Sequence, residues 1–225
     1  MSNAMTETGS DRRRPTRAPG ERSRARILEQ AARLATIEGL DGLSIGRLAE
    51  AAGMPKSSVY VLFGSKEELQ LATVEAARAS FVAEVVVPAL AAGEPGLAQL
   101  RALCEGYLSY VERRVFPGGC FFVAASAELG GRPGRVHDRV AAYQQEWRDL
   151  LEQQARAAGD RDELPAATDP AQLAFELGAL LAGTNVVSVL HDDRAVVERA
   201  RAAVASRLGE ARRTEAPRSA AARHL

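Results

Sequence analysis

Two lysines stand close together in a chain that has no other lysine. Lys56 and Lys66 lie in the stretch GMPKSSVYVLFGSKEEL, residues 53–69, with serine hydroxyls and the phenol of Tyr60 between them. Two ammonium groups with several hydroxyl donors between them are suited to binding phosphate oxygens. The stretch is therefore either an ordinary corner between two helices or a surface that contacts a nucleic-acid backbone.

The histidines are the other possible source of chemistry. The chain has three, His137, His191 and His224, and the first two are each followed directly by aspartate. Neighbouring residues on a helix point about 100° apart, so these pairs do not converge on one acid–base or metal site. The sequence contains no glycine-rich phosphate loop, nucleophile elbow or HExxH motif. We therefore expect no enzymatic activity, no cofactor and no metal.

Basic residues are concentrated at the amino-terminal end, although the net charge of the whole chain is zero. Residues 1–66 carry 11 lysines and arginines against 7 aspartates and glutamates, a net charge of +4. Residues 67–225 carry 18 against 22, a net charge of −4. The asymmetry indicates either a solvated arginine-rich tail, DRRRPTRAPGERSR, or a part of the chain that meets nucleic acid.

The composition favours a helical protein of the cytoplasm. Of the 225 residues 46% are apolar and 5% are aromatic, which is enough for one sizeable core and is typical of helices. Cys104 and Cys120 lack CxxC spacing and are expected to be reduced thiols. The apolar run at residues 177–190 is 14 residues long, too short to cross a membrane, so no membrane partner is expected.

Helical periodicity and capping residues predict an all-α fold of about nine helices. Four helices with short links are expected over residues 21–39, 44–53, 55–63 and 65–87, with Ser44 and Ser65 as caps. Further helices are expected over residues 97–115, from the break FPGGCFF at 116–122 to 129, and over 135–158, 169–190 and 193–208. Asp169 is expected to cap the helix over 169–190, with Pro170 in its first turn.

The second and third expected helices have the layout of a helix-turn-helix, in which the later helix enters the major groove of DNA. Ser57 and Ser58 at the start of that helix allow close approach to the bases. Lys56 and Lys66 bracket it as charges for the backbone, and the Tyr60 hydroxyl can donate to a phosphate oxygen. A plain corner between helices is the alternative.

The stretch LSIGRLAEAAGMPKSSVYVLFGSKEEL, residues 43–69, resembles the signature of the tetracycline-repressor (TetR) family of bacterial transcription regulators. The matching positions are Ser44, Leu48, Ala49, Ala52, Gly53, Lys56, Tyr60, Phe63 and residues 65–69, SKEEL. The resemblance implies a homodimer whose amino-terminal helices bind double-stranded operator DNA and whose larger carboxy-terminal part binds a small-molecule effector. Repression is the family's commonest mode, so we expect a repressor; a helical adaptor without DNA binding is the alternative.

Two positions depart from the family pattern. Ser57 stands where glycine is usual, and Val61 and Leu62 stand where histidine and an aromatic residue are common. An apolar Val61 can touch a thymine methyl group, so we expect it to affect the choice of operator. The expected DNA-contacting residues are Ser44, Lys56, Ser57, Ser58, Tyr60, Val61 and Lys66.

With this resemblance the chain divides into four expected regions. Residues 1–20 comprise an expression scar, MSNA, and a disordered basic arm, and residues 21–66 form a three-helix DNA-binding domain. Residues 67–210 form a larger helical domain for ligand binding and dimerisation, and residues 211–225 form a disordered tail.

Most of the scarce aromatic residues fall in the expected middle helices. They are either ordinary core packing or the walls of an apolar cavity for a small, largely apolar ligand. The expected cavity residues are Tyr107, Tyr110, Cys120, Phe121, Phe122, Tyr143, Trp147 and Phe175. Cys120 follows two glycines at a helix start, where a lowered thiol pKa would make it a redox sensor; an inert buried thiol is the alternative.

The helix expected over residues 169–190 carries more apolar residues than one core-facing stripe requires. We expect the excess to pair with its symmetry mate and with the last helix in a four-helix bundle. The expected dimer residues are Leu173, Leu177, Leu180, Leu181, Val197, Val204 and Leu208.

Overall fold

Helices account for all of the regular secondary structure in the part of the chain that the computed structural model describes, residues 19–209. They are α1 (Pro19–Glu38), α2 (Ile45–Ala52), α3 (Lys56–Phe63), α4 (Lys66–Phe81), a π-helical turn (Val82–Val86), α5 (Val87–Leu90), α6 (Leu97–Glu112), α7 (Phe121–Leu129), α8 (Arg135–Asp160), α9 (Pro170–Leu190) and α10 (Ala195–Arg207). The predicted all-α fold is confirmed. The expected arm lies outside the described residues except for Pro19 and Gly20, which begin α1, and the expected tail lies wholly outside them.

The amino-terminal ends of three helices are capped by the side chains that the sequence predicts. The Ser44 hydroxyl accepts a hydrogen bond from the Arg47 N–H, and the Ser65 hydroxyl accepts one from the Glu68 N–H, both at 3.1 Å. A carboxylate oxygen of Asp169 accepts from the first turn of α9. These caps satisfy N–H groups that have no partner inside their own helix, which fixes where each helix begins.

Helix α4 continues through the π turn into α5 without leaving helical dihedral angles, so the three segments form one long helix. In the π turn the Val87 N–H bonds to the Val82 carbonyl, five residues back. The cause is Pro88, which has no N–H and whose ring crowds the carbonyl four residues before it. Widening the helix by one residue relieves that crowding. Counted as one helix, α4–α5 brings the described elements to nine.

Helices α1 to α3 form a small head, and the first half of α4 completes it. Leu48 of α2, Val59 of α3 and Leu69 of α4 are each fully buried there. The remaining helices form the body, in which α8 and α9 pack together and α6 contacts both of them. Helix α4 is therefore shared between the head and the body.

Ion pairs join α4 to α8 along their length. Glu67 and Glu68 both bind Arg135, Glu75 binds Arg139, and Arg78 binds Glu146 further along both helices. The partners advance together along the two sequences, so the helices run parallel. Each pair is about half exposed and adds little stability, so its main effect is on register.

Helix α9 is the one described helix that is long and apolar enough, by length and composition, to cross a membrane. Three of its leucines, at positions 173, 177 and 181, are at most 1% exposed because they pack into the body. The same composition is common in the core helix of a soluble protein, and the packing of α9 accounts for it here.

Candidate DNA interface and internal cavity

The turn between α2 and α3 presents one face of α3 to solvent. Gly53 ends α2 with a left-handed φ of 63°, and its N–H bonds back to the carbonyl groups of the last turn. Val59 and Phe63 are buried under α3, which turns the intervening side chains outward. Tyr60 is 59% exposed and Val61 is 83% exposed. Tyr60 and Val61 are neighbours in the chain, so α3 offers both side chains to a partner.

Lys56 lies beside the amino-terminal end of α2. A β-carbon added to Gly46 would meet the Lys56 side chain, with Cε at 3.2 Å and Nζ at 3.4 Å, and the Ser44 hydroxyl at 3.9 Å. The absence of a side chain at Gly46 thus lets the ammonium group approach the first turn of α2. An ammonium group, a hydroxyl and helix N–H groups in one place are well suited to a phosphate.

Lys66 is held at the turn between α1 and α2. Its ammonium group donates to the Asp41 carbonyl at 2.7 Å, three residues before Ser44. An ammonium group has three donors, so the contact leaves two for a phosphate. The neighbouring Gln70 amide donates to the Leu40 carbonyl at 2.8 Å, which holds the same turn against α4.

The two serines of α3 differ in accessibility. Ser57 is exposed, whereas Ser58 is half-buried. Both line a shallow depression together with Ser23, Met54, Val61 and Leu62. Base contact by Ser58 therefore requires DNA to enter this depression, while Ser57 and Val61 are directly reachable.

The body contains a cavity of about 420 Å³, within the usual range for small-molecule sites. Helices α4, the π turn, α6, α7, α8 and α9 all contribute to its walls. Five of the residues expected from the sequence line it: Tyr107, Cys120, Phe122, Tyr143 and Trp147. Its lining also includes Phe81 of α4, whose ring meets Trp147 edge-on with centroids 5.2 Å apart.

Three other expected cavity residues lie elsewhere. Tyr110 and Phe121 are each 1% exposed and pack in the core without lining the cavity, so for them the alternative of core packing applies. Phe175 is 64% exposed on the outer side of α9. Phe81 was not among the residues expected from the sequence, because the cavity was expected only in the middle helices; an aromatic residue late in α4 was a usable signal.

Cys120 is a buried thiol with a raised pKa. Its backbone N–H donates to the Asn185 side-chain oxygen at 2.7 Å, which ties the start of α7 to α9. Burial raises the pKa of the thiol, and hydrogen bonding from neighbouring groups only partly opposes that shift. Of the two alternatives for Cys120, the inert buried thiol therefore fits the structure, because exclusion of water raises the thiol pKa more than the hydrogen bonds at the helix start lower it.

Arg78 lies at the cavity wall between α4 and α8. Its guanidinium group donates to one Glu146 carboxylate oxygen at 2.8 and 3.2 Å, and it lies over the Tyr143 ring at 4.7 Å from the centroid. The Arg78 and Glu146 side chains are 41% and 55% exposed. The charged groups of the cavity therefore lie at its solvent side and largely neutralise each other.

Helix α7 and the loop before it connect the cavity to the head. At the end of α7 the Glu128 carboxylate accepts hydrogen bonds from the backbone N–H groups of Leu40 and Asp41. Before α7 the Gly118 N–H donates to the Thr36 hydroxyl at 3.1 Å. A β-carbon on Gly118 would lie 1.9 Å from the Thr36 carbonyl oxygen, so this contact requires glycine.

Most residues expected at a dimer interface are buried within a single chain. Leu173, Leu177, Leu181, Val197, Val204 and Leu208 are at most 7% exposed, and Leu180 packs partly buried against them. The exposed apolar surface of α9 is instead a stripe at spacings of three and four residues. It consists of Phe175, Ala179, Gly183, Val186, Val187 and Leu190. The structure thus moves the candidate dimer surface to the opposite side of the same helix.

Within residues 19–209 no group of three or more His, Cys, Asp or Glu side chains is placed to hold a metal ion. Among the described residues His137 bonds only to its neighbour Asp138, at 2.9 Å, near the start of α8. Asp193 accepts from the Ala195 N–H at 2.8 Å, which is the behaviour of a helix cap.

Comparison with known proteins gives matches along most of the described chain. Residues 27–73 match the family model described as bacterial regulatory proteins, tetR family. Residues 96–204 match the model described as tetracyclin repressor-like, C-terminal domain. A curated relative, the transcriptional regulator AcuR of Cereibacter sphaeroides, is 27% identical over 139 residues, 62% of this chain and 64% of AcuR. The chain thus matches somewhat less than two thirds of that relative's length.

Solved structures give similar matches over more of the chain. A TetR transcriptional regulator from Chloroflexus aurantiacus has a TM-score of 0.76 and 28% identity, covering 83% of this chain and 94% of its own. A TetR-family transcriptional regulator from Streptomyces coelicolor has a TM-score of 0.71 and 27% identity, covering 84% and 95%. The two family models match an amino-terminal and a carboxy-terminal part of the chain separately, and the solved structures match across both parts.

Proposed function

The chain belongs to the TetR family of DNA-binding transcriptional regulators, and on that premise we propose that it is a cytoplasmic repressor that binds operator DNA as a homodimer. A small, largely apolar ligand in the cavity modulates that binding. The observation that carries the proposal is one continuous helix, α4–α5, that begins beside the head and lines the cavity at Phe81, Val82 and Val86.

The head contacts DNA through α3 and through the start of α2. Lys56, the Ser44 hydroxyl and the first turn of α2 bind one phosphate, while Lys66 and Tyr60 bind others. Ser57, Ser58 and Val61 face the bases. The support for this assignment is the exposure of Tyr60 and Val61 and the approach of the Lys56 ammonium group to Gly46.

The dimer forms through the exposed stripe on α9. Four large apolar side chains in the stripe are between 37% and 72% exposed, and Ala179 and Gly183 between them allow two helices to approach closely. Two-fold pairing doubles the DNA contacts and sets two copies of α3 about one helical turn of DNA apart. A single head offers too few contacts for a specific site.

Ligand binding reaches the head by two routes. Helix α4 carries Phe81 in the cavity wall and Lys66 at the head, and α7 carries Phe122 in the wall and Glu128 at the head. The ligand binds more tightly to the dimer at one spacing of the two heads than at another. This difference in ligand-binding free energy, typically about 1–3 kcal/mol, sets how much the ligand can change operator affinity.

The test is a gel-shift titration with the DNA upstream of the protein's own gene, with scrambled DNA of equal length as control. We expect a retarded complex of two chains per site, with tighter binding to the upstream fragment. Equal affinity for both fragments would contradict operator binding, and no complex with either fragment would favour a helical adaptor or an enzyme without DNA binding.

The cavity's part in the proposal is tested with Trp147→Ala. The variant enlarges the cavity at a position far from α3. We therefore expect operator binding without ligand to be normal. We expect the response to any ligand found by thermal-shift screening to be lost. Leu151→Ala serves as control, since Leu151 is fully buried on the same helix but does not line the cavity. A ligand that binds at residues 21–63 would refute this scheme.

A further inference from the structure

The inner wall of the cavity holds a polar group that the fold leaves unsatisfied. Tyr107 is 3% exposed and lines the cavity, and within the described range 19–209 its hydroxyl has no partner of conventional hydrogen-bond geometry. Its nearest polar interaction is with the Cys120 thiol, whose sulfur is a weak acceptor. Buried hydroxyl groups nearly always have a good partner, so this hydroxyl can still donate to a stronger acceptor such as a ligand oxygen.

Both groups at this end of the cavity remain protonated. Burial, and then the neighbouring Cys120, raise the pKa of the Tyr107 hydroxyl well above its usual value. Burial also raises the pKa of the Cys120 thiol. At neutral pH the wall therefore offers one strong donor, O–H, and one weak donor, S–H.

The charged residues that line the cavity lie at its solvent side. Glu146 and Asp149 are exposed, and Arg78 is half-buried and already bound to Glu146. A carboxylate or ammonium group moved to the inner wall would lose its hydration without gaining an opposite charge. A neutral oxygen acceptor loses much less hydration free energy and can accept a hydrogen bond directly from the Tyr107 hydroxyl.

The rest of the cavity suits an apolar body. The rings of Phe81, Phe122 and Trp147 line it, together with Gly178 and Ala182 of α9, which add little side-chain volume. Aromatic rings in the cavity wall favour a flat or slender apolar group over a bulky one.

We propose that the cavity binds a small, uncharged carbonyl compound whose oxygen accepts a hydrogen bond from the Tyr107 hydroxyl while its apolar body lies along the aromatic wall. The regulatory meaning of this site rests on the proposed function, but the binding itself does not. The ligand class is defined by two features, a neutral sp² oxygen at one end and an apolar group at the other.

Direct binding tests the inference without DNA. Trp147 is the only tryptophan of the chain and lines the cavity, so its fluorescence reports occupancy. Four probes of nearly equal shape are compared: 4-phenylbutan-2-one, the hydrocarbon isopentylbenzene, 3-phenylpropanoate and the cation of 4-phenylbutan-2-amine. We expect the ketone to bind roughly tenfold more tightly than the hydrocarbon, since one additional buried hydrogen bond is formed, and more tightly than either ion.

Tyr107→Phe removes only the hydroxyl. We expect it to abolish the preference for the ketone while the hydrocarbon binds as before, and to leave the melting temperature unchanged or raised, because an unsatisfied buried group is lost. Tyr110→Phe is the matched control, since Tyr110 is equally buried but does not line the cavity. A ketone preference that survives Tyr107→Phe, or tighter binding of either ion, would overturn the inference.

The outcome is separable from that of the proposed function. Ketone binding that depends on Tyr107 but leaves operator affinity unchanged would support the site and contradict regulation through it. An operator complex that responds to other ligands, with no ketone preference in the fluorescence titration, would overturn the carbonyl site and leave the proposed function standing.

Discussion

The carboxylate of Glu128, in the last turn of α7, accepts a hydrogen bond from the backbone N–H of Leu40 at 2.7 Å, across 88 residues of sequence. Its other oxygen accepts from the N–H of Asp41 at 2.8 Å. Gly39 makes room for this contact, because a β-carbon there would lie 2.9 Å from the carboxylate. One side chain of the body thus caps the turn that leads into the DNA-binding helices.

Replacing Glu128 by Gln should weaken this joint. Hydrogen bonds to a charged acceptor contribute about 1.5–3 kcal/mol. The glutamine side chain keeps one acceptor oxygen, but its NH₂ group replaces the other oxygen and would face a backbone N–H, a second donor. We expect the unfolding free energy to fall by about 1–2 kcal/mol and the ligand response of operator binding to shrink. Urea denaturation and ligand-dependent gel shift measure the two effects.

Glu163→Gln provides the matched control for Glu128. The Glu163 carboxylate accepts from the Leu97 N–H at 2.8 Å beside Gly96, a similar contact that lies wholly within the body. It should lower stability by a smaller amount, because one N–H group instead of two is affected, and leave the ligand response intact. An equal loss of response in both variants would show that Glu128 acts through stability alone.

Lys66→Ala should weaken binding to every DNA sequence alike. The lost ammonium group is one phosphate contact, so the slope of log affinity against log salt should become shallower by about one charge. If Lys66 only holds the Asp41 carbonyl in the turn, affinity will fall with the salt slope unchanged. Fluorescence anisotropy from low to high salt distinguishes the two results.

Val61→Ala should change operator preference without changing stability, because Val61 is 83% exposed. In an operator selected from random DNA, replacing the contacted thymine by uracil removes its methyl group and should cost the wild type about 1 kcal/mol. The variant should show no further loss from the same replacement. Val59→Ala, a fully buried valine on the same helix, should instead destabilise the head by roughly 2 kcal/mol.

Gly183→Glu should produce a folded monomer. A β-carbon at Gly183 meets no atom within 4 Å in the single chain, so the substitution disturbs only what packs on the exposed stripe. Two buried glutamates facing each other across the two-fold axis would oppose pairing strongly. Sedimentation at micromolar concentration should give half the wild-type mass, with operator binding lost. Gly159→Glu, at an exposed glycine near the end of α8, should remain dimeric.

Alkaline pH should destabilise the body through Cys104. Burial, with a smaller effect of Glu105, raises the pKa of this thiol from 9.0 to about 12. The folded pKa exceeds the unfolded one, so the stabilisation is complete below pH 9 and is lost as the pH rises from 9 towards 12. Between pH 9 and 12 the titration of Cys104 should lower the unfolding free energy by about 1.4 kcal/mol per pH unit. Cys104→Ala should make the decline shallower by that amount; an unchanged slope would contradict the assignment.

The sequence alone predicted the helices well because their signals are local. Ser44, Ser65 and Asp169 act within three residues of themselves, and Gly53 needs only its own backbone to stop α2. The motif at residues 43–69 likewise identified the family, since the residues of a helix-turn-helix lie next to each other in the chain.

Only the tertiary structure decided which face of each helix meets which neighbour. Leu177 and Phe175 are two residues apart on α9, yet Leu177 is buried in the chain's own core and Phe175 is exposed on the candidate dimer surface. The sequence could not show which of these two side chains faces the core, because a helix that is apolar on all sides has no distinct core-facing side. Tyr107 and Tyr110 lie three residues apart on one face of α6, so they were equivalent until the packing of α4, α7 and α9 placed one of them at the cavity. The contact from Glu128 to Leu40 has no sequence signal at all, since a hydrogen bond between distant segments exists only after both have packed.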